Sequence, residues 1–163
     1  IERMLDNNEI DITGWELRKT LRLLLKSNPA LLERLQSPIL YKVDAPFLEE
    51  IQNLAGQCYS QISTMHHYLS MSKKCFAEVK ENSNYKLKKM FYALRASMAC
   101  KWILENDEMP PISFLQMMDG VPLNKALHNR ILELIDLKAT KSESYFHTGE
   151  ADIFNFIENT IMS

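Results

Sequence analysis

Apolar positions along this chain recur mostly three and four residues apart, the period of a helix with one buried face. Over residues 15–26, Leu17, Leu21, Leu24 and Leu25 fall at that spacing, and Arg18, Lys19 and Arg22 lie on the opposite side. Asn28 reads as an N-cap and Pro29 as a first helical residue, where a missing N–H costs nothing. A short helix over 30–35 follows, and Ser37-Pro38 breaks it. Residues 39–43 read as extended. Asp44 caps a helix that begins near Pro46 and that Gly56 ends or bends. Three long helices are then expected over 57–80, 85–105 and 123–140, with shorter ones over 113–118 and 152–161. Near the start, Ile10-Asp11-Ile12 alternates within 9–13 and predicts a strand. The expected architecture is mainly α: a helical bundle over 14–163, carrying in 1–13 a short strand left from the sheet of a preceding domain.

Composition narrows the class. The chain has 163 residues, 46% of them apolar, which suffices for a buried core. A net charge of −2 argues against a uniformly basic nucleic-acid coat, though not against a local basic groove. Cys58, Cys75 and Cys100 are too scattered for a disulfide framework or a zinc cluster, and read as small buried residues in a reducing, cytoplasmic setting. No signal peptide or membrane-length apolar run is visible. The first residue is Ile rather than Met, which suits a fragment of a longer protein.

Asp11 is the first residue that could carry chemistry. On a strand it shares a face with Glu9 and Thr13, opposite Ile10 and Ile12. A carboxylate there can ligate a hard cation such as Mg²⁺. The plainer reading is a solvated edge-strand face. Glu9 is less attractive, being nearer the strand end. Further along, Leu87, Phe91, Leu94, Met98 and Trp102 form an apolar stripe, with Arg95 at its border and Lys88 and Tyr92 on the same side. On the preceding helix, Ile62, Leu69 and Phe76 define a face, with His66 and Lys73 close to it. Cations at the border of two such faces could line one anionic groove. Otherwise they cover apolar surface with their stems or pair with Glu78 or Glu105.

Other motifs are weak. His66 and His67 are adjacent, diverge by about 100° on a helix and cannot chelate one metal. One could face the core and the other a cleft. His128 and His147 have no evident partners. Four glycines leave no room for a phosphate-cradling loop. Met65, Met71, Met90, Met98, Met117 and Met118 read as adaptable core filler.

The run from Asp11-Ile12-Thr13-Gly14-Trp15 through Leu23-Leu24-Leu25-Lys26-Ser27-Asn28-Pro29 to Ser37-Pro38-Ile39-Leu40-Tyr41 resembles predicted nucleotidyltransferases associated with RNA repair, within the DNA polymerase β-like superfamily. His67-Tyr68-Leu69 with Met71 and Lys74, Phe91-Tyr92-Ala93-Leu94-Arg95 with Trp102-Ile103, and Pro110-Pro111 are similar to the same family. The resemblance reaches to about Phe114 and is weak beyond Leu123.

The resemblance implies that residues 1–13 are a remnant of a mixed nucleotidyltransferase sheet. There, three carboxylates would hold two Mg²⁺ ions and a nucleoside triphosphate. Asp11 sits where the third belongs. The Gly-Ser motif and the acidic pair are expected upstream of Ile1, so the fragment alone is expected to be inactive. Lys73, Lys74, Lys88 and Arg95 become candidates for phosphate or RNA backbone contacts. The implied activity is nucleotide transfer to a hydroxyl acceptor, with nucleotide and RNA as partners. The alternative is a non-catalytic helical module that binds protein or RNA, or dimerises, through exposed apolar side chains. Convergence of Lys73, Lys88 and Arg95 on a cleft beside Asp11 would favour the transferase. A helical ribonuclease-like module is disfavoured, since no His follows Arg95 at the spacing such modules use.

Overall fold

A computed structural model describes residues 2–5 and 10–162, with side chains from 13 onward. Glu9 and the side chain of Asp11 therefore lie outside the described residues. The chain packs as two units, Ile1–Ser63 and Thr64–Ser163. Eight helices account for most of the described residues, so the chain is mainly α.

In the first unit, β1 (Glu2–Leu5) and β2 (Ile10–Thr13) pair antiparallel, with Asp11 opposite Met4. The sequence had suggested the second of these strands only. Helix α1 (Leu17–Leu25) follows, then α2 (Pro29–Leu35) and α3 (Ala45–Cys58). Asn28 and Asp44 cap α2 and α3 as their positions predict, accepting from the N–H groups of Leu31 and Phe47 at 3.2 and 3.1 Å. Residues 39–43 form no strand: they run through bends with their apolar side chains exposed. Trp15 is clamped between the cations of Lys19 and Arg34, the latter 4.1 Å from the ring centroid, which ties the entry of α1 to the end of α2.

The α1–α2 joint explains the Lys26-Ser27-Asn28-Pro29 run. Ser27 N–H donates to the Leu24 carbonyl and Asn28 N–H to that of Leu23, the paired bonds of a Schellman helix end. That motif needs a left-handed residue, usually glycine, and Ser27 takes the position at φ 48°. A serine offers what glycine cannot. Its Oγ accepts from Ser60 N–H at 2.8 Å, and Ser63 Oγ donates to the Lys26 carbonyl at 3.3 Å. The expected helix over 57–80 is consequently split. Tyr59 is extended at ψ 131°, and Ser60 Oγ accepts from Ser63 N–H. Gly56 neither ends nor breaks α3, and α4 (Gln61–Lys80) starts afresh.

The second unit is built around α5 (Leu87–Asn106). Leu87, Met90, Ala93, Leu94, Ala96, Ser97, Met98, Ala99, Cys100 and Ile103 are all buried, so this helix is enclosed on most sides rather than along one stripe. Tyr85–Lys86 (β3) leads into it. After it come α6 (Phe114–Asp119), α7 (Lys125–Thr140), β4 (Phe146–His147) and α8 (Ala151–Met162). Ser113 and Asn124 cap α6 and α7. Gly120 lies so close to α5 that a Cβ there would stand 2.1 Å from the Trp102 ring.

Helix α4 presents Thr64, Tyr68, Ser72, Phe76 and Val79 to the core. The expected face holds in part: Phe76 is buried and Leu69 packs against the core, but Ile62 is 71% exposed, and His66, His67 and Lys73 are all exposed. A polar bond accompanies the shift. Ser72 Oγ lies 2.7 Å from Ser97 Oγ, deep between α4 and α5, so the buried hydroxyls satisfy each other. Cys100 is the one fully buried cysteine, and burial pushes its thiol up to about 12. Met90, Met98, Met117 and Met118 fill the core, with Met65 and Met71 packed against it.

The β3–β4 pairing (Tyr85 opposite His147) has no periodic signal and was not expected. It rests on an ion cluster. Glu150, whose side chain is 7% exposed, accepts from Arg130 and His147, the latter at 2.9 Å. His147, without an evident partner in the sequence, thus has one three residues on. Burial alone would raise the Glu150 carboxyl, but the bonds from Arg130 and His147 outweigh it and hold the group below its ordinary range. Tyr85 donates to the Gly149 carbonyl at 2.8 Å, and burial with the nearby Glu150 charge pushes its phenol up.

Two stability predictions follow from these joints. Ser27→Ala keeps the left-handed strain and strands the Ser60 N–H, at a cost of about 1–2 kcal/mol. Ser27→Gly recovers about 1 kcal/mol of that strain. Urea midpoints should therefore rank wild type, then Ser27→Gly, then Ser27→Ala. For Glu150, a depressed carboxyl stabilises the fold above the ordinary carboxylate range and loses that contribution as pH falls through the folded value. Glu150→Gln should cost about 1–3 kcal/mol at neutral pH, trimmed because Arg130 is partly solvated. The gap from wild type should close as pH drops below about 4, read from urea melts across pH.

Candidate functional site

A strip of α5 that meets solvent along its first three turns carries Lys88, Tyr92 and Arg95. These sit at i, i+4 and i+7 and therefore share one side of the helix. They form one wall of an open groove of about 560 Å³. Phe91 and Phe114 close its base, edge to face with centroids 6.0 Å apart. The last turns of α7 supply the facing wall through Ile135, Lys138 and Ala139.

Charge in the groove is unbalanced. Lys88, Arg95 and Lys138 face a single carboxylate, that of Glu143. Lys88 Nζ meets Glu143 Oε2 at 2.8 Å, and the ammonium's hydrogen bond holds the carboxyl below its usual range. Glu143 is 84% exposed in its side chain, so this pair is weak. Arg95 donates from Nη1 to the Ile112 carbonyl at 2.9 Å, which anchors the chain entering α6. A smaller hollow adjoins the groove, sharing Lys88, Lys138 and Glu143 and adding Lys141 and Tyr145. Cations thus run from Arg95 past Lys88 and Lys138 to Lys141, with Phe114, Tyr92 and Tyr145 set among them.

Of the residues singled out in the sequence, Lys88 and Arg95 come together here. Lys73 and Lys74 do not line the groove and stand exposed on α4. Glu78, one of the acids proposed as a partner for these cations, binds Lys89 at 2.8 Å. Asp11 belongs to the other unit, on β2, and its side chain lies outside the described residues. Lys138, Phe114 and Glu143 were not recognised as site residues. No local pattern marks them, because their relevance depends on where α7 and α6 lie against α5.

Among the described residues, no three His, Cys, Asp or Glu side chains gather as a metal site. No described helix is long and apolar enough to cross a membrane. Large exposed apolar side chains concentrate in the first unit. Leu17, Leu21 and Leu25 line one side of α1, where only Leu24 of the expected stripe is buried, and Tyr41 is almost fully exposed.

Comparison with known proteins bears on the class. The chain is 34% identical over 152 residues to an uncharacterized protein, YcgL, of Bacillus subtilis (strain 168), with 93% of this chain and 58% of that protein covered. It therefore spans a little over half the length of that relative. No solved structure matches. The profile of the RlaP family, the RNA repair pathway DNA polymerase beta family, matches residues 1–162. That match continues well past Phe114, where the resemblance read from motifs faded, and includes α7 and α8. From the hairpin to the last helix, then, this chain belongs to the RNA repair pathway DNA polymerase beta family.

Proposed function

We propose that this chain is the acceptor-side portion of a nucleotidyltransferase. The full-length protein would move a nucleotide from a nucleoside triphosphate to a hydroxyl, with an RNA end as the acceptor. In such a transfer the hydroxyl oxygen forms a bond to the α-phosphorus and pyrophosphate leaves. The observation that carries this reading is the family match over 1–162, which takes in β2 and its Asp11 as well as the helical remainder. The basic groove of the second unit supports it, since a polyanionic acceptor needs a cationic bed outside the reacting centre.

Asp11 is the residue of this chain assigned to the Mg²⁺ and triphosphate centre. A single carboxylate does not hold a pair of hard cations, so the remaining ligands must come from elsewhere in the full-length protein. Magnesium there would supply charge neutralisation at the phosphates. Lys88 and Arg95 are assigned to backbone phosphates of the acceptor.

A second reading, a non-catalytic interaction module, draws on the exposed leucines of α1. The two separate cleanly in an assay. Full-length protein, given labelled nucleoside triphosphates and an RNA with a free 3′-hydroxyl, should extend or cap that end. Asp11→Asn should slow the reaction by orders of magnitude while leaving the thermal melt in place. Transfer at the wild-type rate by Asp11→Asn would remove Asp11 from the centre. No transfer to any hydroxyl acceptor by the wild type would leave the interaction module.

A further inference from the structure

The groove on α5 holds more than phosphate-binding charge. Its floor is aromatic, and one wall sets a tyrosine between two cations. Tyr92 is 44% exposed, with the Lys88 ammonium 5.9 Å from its ring centroid, and Phe114 rests edge to face on Phe91. Flat, accessible rings beside cations are poor partners for a duplex, whose bases are already stacked on each other and which offers chiefly its phosphates to such a surface. They suit an unpaired strand, because a free base can lie on a ring while the flanking phosphates meet lysine and arginine. Lys88 and Arg95 are seven residues apart on α5, about 10 Å along the axis, enough to address more than one phosphate. The cation track continues through Lys138 to Lys141 in the adjoining hollow. An acidic peptide would satisfy the cations but would leave Tyr92 without a planar partner.

We propose that this groove is a subsite for a single-stranded segment of nucleic acid, with a base stacked on Tyr92 and phosphates held by Lys88 and Lys138. Glu143 is the placeholder. Its carboxylate sits on Lys88 at 2.8 Å, where an incoming phosphate oxygen would sit. Glu143 is itself mostly exposed and can swing away at little cost. Binding therefore exchanges one carboxylate for a phosphate on the same ammonium. The inference deepens the transferase reading, on which it rests for identifying the strand as the acceptor.

The test is equilibrium binding by fluorescence anisotropy, using the 163-residue chain and a labelled single-stranded oligoribonucleotide of about twelve residues. A hairpin duplex of the same composition and a polyglutamate peptide serve as competitors. The single strand should bind best. Tyr92→Ala should weaken it roughly ten-fold, and Tyr92→Phe should restore most of the loss. Lys138→Ala should lower the salt dependence by about one phosphate contact. Glu143→Gln should tighten binding several-fold, because Lys88 loses its competitor. Thermal melts of the variants control for folding. Equal affinity for duplex with Tyr92→Ala silent would overturn the stacking site in favour of a phosphate-only track. Displacement by polyglutamate as effectively as by unlabelled strand would assign the groove to an acidic protein. No binding at low salt would refute the proposal outright. Failure here is distinct from failure of the transferase reading. Oligonucleotide binding needs no turnover, and transfer by full-length protein that ignores Tyr92 and Lys138 would sink the groove alone.

Discussion

Burial of α5 on nearly all sides is the constraint on which the second unit depends. A helix this enclosed can carry polar groups in only a few ways. One is the hydroxyl pair Ser72–Ser97, in which each buried group answers the other. Another is an accessible strip near its start, where Lys88, Tyr92 and Arg95 reach solvent in whole or in part. The groove is thus placed by the core. Helices α6 and α7 flank the strip, and what they bring to its edges (Phe114, Lys138 and, after α7, Glu143) becomes the lining.

The same logic separates rigid from adjustable parts of the site. Tyr92, Lys88 and Arg95 stand on the best-packed helix in the unit, and Arg95 in addition ties down the chain at Ile112. Their positions are set before any ligand arrives, which favours affinity because little ordering is left to do. Glu143 is different. It lies between α7 and β4, in a segment held chiefly by the Leu87–Tyr145 backbone bond and, further on, by the Arg130–His147–Glu150 cluster. The exposed Lys88–Glu143 pair therefore adds little stability, and its importance lies in what it occupies.

The first unit shows how a motif that carries family resemblance can be architectural. The Leu-Lys-Ser-Asn-Pro run is a helix end, a left-handed joint and a helix start compressed into five residues. Ser27 accepts the strain of φ 48° because its hydroxyl is needed by the Ser60 N–H. Asn28 caps α2 and Pro29 opens it. Trp15, held between Lys19 and Arg34, serves the same corner. None of these side chains is required to touch a substrate. The resemblance to the family runs through these residues, and their part in the structure is to build this joint.

Local physics was readable directly from the sequence. The caps at Asn28 and Asp44 depend on a side chain and the N–H three residues on, so their helices begin where expected. The mainly helical class, the methionine-filled core and the shared side of Lys88, Tyr92 and Arg95 follow from spacing alone. Packing decided the rest. Periodicity put Ile62 on one face of α4 with Leu69 and Phe76, but packing buries Tyr68 and Ser72 beside Phe76 and leaves Ile62 exposed. The break at Tyr59–Ser60 depends on a hydroxyl thirty-three residues earlier. The two-residue β3–β4 pairing is too short to leave a pattern. Lys138 and Glu143 became groove residues only when α7 lay against α5, because no sequence spacing encodes the distance between two helices that a core must first bring together.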